Sequence, residues 1–130
     1  MGKENIAQMA ELIKGVNMFV SGFEKKKFIK KREGGYGRVI TGKNAQLAWV
    51  RFDPCQCTDH EHINEQLGYI LSGNLKITIG GKSEILGPGD AYFMPPNIKH
   101  GFEVLGDKEA EYFEIFSPPQ TRKCNIKYYG

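Results

Sequence analysis

The stretch His60-Glu61-His62-Ile63-Asn64-Glu65-Gln66, with Gly73 after six further residues, carries two of the chain's three histidines. The third, His100, closes a second stretch that begins at Gly89 and passes through Pro95-Pro96-Asn97. Two imidazoles two residues apart on an extended chain point to the same side. A third, delivered from a distant strand, closes a shared coordination sphere. This spacing predicts a β protein built around one metal ion.

Parity along the first stretch refines the ligand set. On an extended chain His60, His62, Asn64 and Gln66 share one face, while Glu61 and Glu65 point the other way. That nominates Gln66 over its acidic neighbour as fourth ligand, and a turn between 62 and 66 would reset it. Pro95-Pro96-Asn97 makes a rigid turn that aims His100 inward. Three neutral imidazoles and an amide oxygen suit one divalent ion among Zn, Ni, Fe, Co and Mn. They add no negative charge, so the ion keeps its full charge, acts as a strong Lewis acid and favours an anionic substrate.

Outward from this centre the chain reads as one domain over residues 1–130. Glycine pairs at Gly34-Gly35 and Gly80-Gly81, with Gly87-Pro88-Gly89, mark frequent turns and favour an all-β barrel or sandwich. Strands are expected at 37–41, 46–53, 66–71, 74–79, 82–86, 90–94, 100–105, 110–116 and 124–129. Ile79-Gly80-Gly81-Lys82 reads as a hairpin, and Gly87-Pro88-Gly89-Asp90 as a turn. Residues 5–14 place Ile6, Met9, Ala10 and Ile13 on one helical face, with Gly15 as the stop. This short helix belongs to an N-terminal extension over 1–22. The charge run from Glu24 to Glu33 reads as a solvated strand or linker.

Several functions are excluded or disfavoured. A net charge of +3 is too small to imply nucleic acid. One short helix cannot make a helix-turn-helix reader. No apolar run is long enough to span a membrane, and the N-terminus lacks the apolar core of a signal peptide. Met1-Gly2 is no myristoylation signal, because Ile6 stands where Ser or Thr is needed. Three cysteines without a secretory signal point to a reduced, cytoplasmic setting. Cys55 and Cys57 offer a rival Cys-x-Cys and His-x-His zinc site, which would leave the second stretch unexplained.

The paired stretches resemble the two motifs of the cupin superfamily. His60-x-His62, Gln66 and Gly73 match the first, and Gly89, Pro95, Asn97 and His100 the second. The resemblance spans about residues 37–118. It implies a double-stranded β-helix, or jelly-roll barrel, with the metal inside and His60, His62, Gln66 and His100 as ligands. Pro54 stands where the first motif usually begins with Gly, Gln66 replaces the usual Glu, and Asn97 stands where Gly is common.

The Gln variant narrows the likeness. Glu65-Gln66-x-Gly68-Tyr69-x-Leu71-x-Gly73, Thr78-Ile79-Gly80-Gly81 and Phe116-Ser117-Pro118-Pro119 are similar to the pectin-degradation cupins, which open the ring of 4,5-unsaturated uronates. That resemblance implies a small anionic sugar acid as substrate, a homodimer, and Glu114 and Phe116 as catalytic residues. Glu114 and Phe116 share a strand face, so Glu114 is a candidate general acid or base. Two departures concern the substrate. Asn64 replaces a frequent His, and Gln120 stands where an Arg would grip a carboxylate, with Arg122 two residues late. Arg51, beside Trp49, is another candidate for an acid group, and Tyr69, Tyr92 and Tyr112 line a pocket or pack in the core. Rival readings are an Fe(II) dioxygenase, a sugar isomerase or epimerase, and a non-catalytic binding module.

Overall fold

The computed structural model describes residues 18–120 and 127–128. The helix expected over 5–14 lies outside the described residues, as does Arg122. Within the described part of the extension, a turn leads to one 3-10 turn at Phe23–Lys25. The strands are β1 Ile29–Arg32, β2 Gly35–Thr41, β3 Gln46–Phe52, β4 Cys57–Glu61, β5 Glu65–Ser72, β6 Asn74–Ile79, β7 Lys82–Leu86, β8 Ala91–Met94, β9 His100–Leu105, β10 Ala110–Ser117 and β11 Lys127–Tyr128. Among the described residues no helix is long and apolar enough to cross a membrane.

Two antiparallel sheets face each other. One runs β1-β2-β3-β10-β5-β8 and the other β11-β4-β9-β6-β7. From β3 onward the chain crosses repeatedly between them, with only the β6–β7 hairpin staying on one wall. Side chains follow a period of two. On β3, Gln46, Ala48, Val50 and Phe52 are buried, while Leu47, Trp49 and Arg51 face outward. With Ile70, Leu75, Ile77, Met94, Val104, Tyr112 and Phe116 they fill the space between the sheets. The outer face of the six-stranded sheet keeps apolar residues in solvent, among them Leu67, Tyr69, Phe93 and Ile115.

Strands expected at 74–79, 82–86 and 100–105 have those bounds, and Ile79 pairs with Lys82 across the hairpin. Other ends move by a residue or two, and Lys127–Tyr128 is the described part of the stretch expected at 124–129. The charge run, read as a solvated strand or linker, carries β1. One strand was not expected as such: β4 forms from Cys57-Thr58-Asp59-His60-Glu61, which has little strand propensity of its own. β4 exists because it pairs with β9, His60 opposite His100. The stretch 60–66 is therefore not one extended segment. It is a strand end, a bend at 63–64 and the start of a strand in the other sheet.

The β4–β9 pair depends on a bare position. A Cβ at Gly101 would lie 2.1 Å from the Thr58 carbonyl oxygen, a backbone atom that cannot swing aside. Gly101→Ala is expected to lower unfolding free energy by about 1–3 kcal/mol. Denaturant titration checks this, and an unchanged midpoint would contradict the close approach.

Candidate metal centre

His60 is the penultimate residue of β4, His62 lies between its end and the bend, and His100 opens β9 on the adjoining strand. Their potential ligand atoms all lie within 4.8 Å of one another. The rings of His60 and His62 stand 4.6 and 4.7 Å from that of His100. His62 and His100 are both 2% exposed.

Local bonds aim each ring. His62 Nδ1 donates to the Asn64 carbonyl at 3.0 Å, and His100 Nδ1 donates to the Ile98 carbonyl at 3.0 Å. His60 Nδ1 lies 2.8 Å from Thr58 Oγ1. A carbonyl only accepts, so these bonds fix the tautomers of His62 and His100 and leave Nε2 as a bare lone pair. Asn97, at φ 59, gives the left-handed turn before His100, and its N–H donates to the His62 carbonyl at 2.8 Å. The two motifs are thus tied together by backbone as well as by their histidines.

The donors fit a cation. His100 Nε2 is buried without a hydrogen-bond partner. His62 Nε2 lies 3.1 Å from Gln66 Oε1. With Nδ1 already donating, that contact sets one lone pair against another, and a shared cation resolves it. The Gln66 amide is oriented by its other side, where Nε2 donates to Tyr92 Oη at 3.1 Å and to Glu114 Oε1 at 3.0 Å. Burial also keeps the imidazoles unprotonated. It lowers His60 to about 3, helped by the charges of His100, His62 and Arg32. It lowers His100 to about 4, helped by His62, and lowers His62 as well. Neutral imidazole is the form that binds metal.

A cavity of about 130 Å³ opens beside this cluster, lined among others by His60, Gln66, His100, Glu114 and Phe116. Glu114 and Phe116 face inward from β10, on the same face as buried Tyr112. Burial raises the Glu114 carboxyl to about 7, against opposing pulls from Lys31 and the Tyr92 hydroxyl. Tyr92 reaches this carboxylate because Gly68 on the neighbouring strand is bare. A Cβ there would lie 2.1 Å from the Tyr92 ring.

The remaining candidates separate clearly. Asn64 is fully buried, and its amide donates to the Pro118 carbonyl, tying the bend to the end of β10. Arg51 and Trp49 face outward. Arg51 Nε lies 3.5 Å from Glu109, and Trp49 Nε1 donates to Glu111. Of the tyrosines, Tyr92 and Tyr112 line the cavity, Tyr112 also packing in the core, and Tyr69 is exposed. Cys55 and Cys57 are free and exposed, away from the histidine cluster. Lys31 and Arg32, read from sequence as part of a solvated run, line the cavity. Nothing in the charge pattern alone could have separated them from their neighbours.

Known proteins resemble this chain over part of its length. A family model described as "Cupin domain" matches residues 48–116. The H2HPP isomerase of Bacillus subtilis is 34% identical over 68 residues, 52% of this chain and 29% of that protein. The pectin degradation protein KdgF of Dickeya dadantii is 36% identical over 65 residues, 49% of this chain and 58% of that protein. The chain therefore covers less than two thirds of either relative. The solved structure of KdgF from Halomonas sp. superposes with a TM-score of 0.71 at 22% identity, covering 80% of this chain and 94% of that one.

Two sets of variants separate the histidine site from the cysteine alternative. His62→Ala or His100→Ala is expected to weaken metal binding by more than the roughly 10–100-fold lost with an outer-shell partner. Cys55→Ser/Cys57→Ser is expected to leave it unchanged. Titration with Co(II), read by absorbance and by bound metal per chain, checks both, and thiolate-to-cobalt absorption would contradict the assignment.

Proposed function

The chain belongs to the cupin domain family, and on that premise we propose that it is a metal-dependent enzyme acting on a small sugar acid. The specific reaction is ring opening of a 4,5-unsaturated uronate. The observation that carries this reading is a buried carboxyl, Glu114, raised to about 7 and facing one cavity with His60 and His100, two of the three clustered neutral histidines. KdgF is described as a pectin degradation protein, which points to the same substrate class.

His60, His62, Gln66 and His100 would hold the ion, one of Zn, Ni, Fe, Co or Mn. When bound it supplies Lewis acidity to the substrate's oxygens. Glu114 accepts the proton of the hemiacetal hydroxyl as the ring C–O bond breaks. The enolate left on the former ring oxygen becomes a ketone when Glu114 returns that proton to carbon. Atoms and electrons balance, since the product is an isomer of the substrate. Gln66 Nε2 and Tyr92 Oη, both within hydrogen-bonding reach of the Glu114 carboxylate, hold it in place. Phe116, 3% exposed and with its ring 6.0 Å from that of His62, keeps water from that wall.

Metal-replete protein should convert 4,5-unsaturated galacturonate faster than the uncatalysed rate, followed by NMR. Glu114→Gln is expected to cost about 10²–10⁴-fold in kcat while metal content stays unchanged. Absence of conversion by the wild type, or full activity of the variant, would remove this assignment.

Two copies pair, in this reading, through the outer face of the six-stranded sheet. Leu67, Tyr69, Phe93 and Ile115 are 42%, 47%, 51% and 41% exposed there. The strand register sets Leu67 beside both Phe93 and Ile115. A contiguous exposed apolar face of this kind marks an association surface. In this reading the setting is the reduced cytoplasm. Light scattering should give a dimer mass for the wild type and a monomer mass for Leu67→Lys/Phe93→Lys. A monomeric wild type would refute the pairing.

A further inference from the structure

The edge strand β1 is irregular where it meets the cavity. It pairs with β2 as Ile29 to Gly37, Lys30 to Tyr36, and Arg32 to Gly35. Two steps along β1 are matched by one along β2, so Lys31 is the extra residue of a β-bulge. In a regular strand, neighbours face opposite sides. Here the bulge brings consecutive residues, Lys31 and Arg32, to the same cavity wall.

Both side chains have a definite seat. The Lys31 chain lies over Gly37, where a Cβ would stand 2.5 Å from Lys31 Cε. Arg32 Nη2 donates to the Cys57 carbonyl at 3.1 Å, at the start of the strand that carries His60. Nearby Lys30 is already taken by Glu33 at 2.8 Å. Among the described residues, neither Lys31 nor Arg32 forms an ion pair. The cavity also includes Gln120, which is neutral.

We propose that Lys31 and Arg32 form the carboxylate-binding mouth of the cavity, gripping the substrate's acid group in place of the arginine absent at position 120. The inference rests on the sugar-acid reading and adds the residues that select for the acid. Arg32 keeps guanidinium N–H groups beyond the one spent on Cys57, and a carboxylate accepts two of them side by side. Lys31 adds a mobile point charge. The ligand class is a small polyhydroxy monocarboxylate, with its acid at the mouth and its reacting hydroxyls toward the histidines.

Calorimetry of the metal-replete protein with D-galacturonate and with its neutral methyl ester tests this. The wild type is expected to prefer the acid by about tenfold or more. Lys31→Gln/Arg32→Gln loses that preference at unchanged metal content, and Lys31→Arg/Arg32→Lys keeps it. A wild type without the preference, or a neutral variant that retains it, overturns the proposal. Should the double variant fail to fold, Lys31→Gln alone decides, because its side chain is exposed. Loss of preference there supports the mouth, and full retention overturns it. A preference lost in the variants, from a protein that does not convert unsaturated galacturonate, would uphold the mouth and remove only the ring-opening reaction.

Discussion

The antiparallel register of β4 against β9 sets His60 opposite His100, and the polar end of the interior is arranged around that pair. Gly101 lets the strands approach, and His62 lies beside them just past the end of β4, before the bend at 63–64. The chain then crosses into the other sheet, where β5 begins and Gln66 faces back toward His62. One short β4 thus positions donors on two walls. Its own residues do not favour a strand, so the pairing with β9 is what holds it.

Burying three imidazoles, an amide and a carboxyl inside a barrel is costly unless each polar atom is satisfied. The chain meets most of that cost locally. Backbone carbonyls of Asn64 and Ile98 take the Nδ1 protons, and Gln66, Tyr92 and Glu114 satisfy one another. What remains is the buried, unpartnered Nε2 of His100 beside the other two rings. An orphaned buried acceptor of this kind is what a candidate ligand site offers and a fully paired polar core does not.

Much of this was legible because strand side chains alternate. The hairpin at 79–82, the turn at 87–90 and most strand limits follow from apolar spacing and glycine. Parity grouped His60, His62, Asn64 and Gln66, and all four side chains do face inward, but for a different reason than a continuous strand. A bend at 63–64 changes sheet without changing the inward sense. Parity could not tell the four apart by role, and Asn64 binds the end of β10 instead of facing the histidines. The cations were hidden for a related reason. A bulge breaks alternation at Lys31, and only the partner strand's register reveals it.

Charge gives the site its direction. The donors that converge on the centre are uncharged, so a bound divalent ion retains its whole field. Lys31 and Arg32 add two more positive charges at the wall, against the single carboxyl of Glu114. Standing at the cavity's solvent-facing rim, that excess of positive charge draws an anion toward the site. That anion would also reduce the pull of Lys31 on Glu114, leaving burial to hold the carboxyl's proton affinity up. Substrate charge would then do two things at once. It would secure binding at the mouth and make Glu114 a better proton acceptor when the hydroxyl beside it has to be deprotonated.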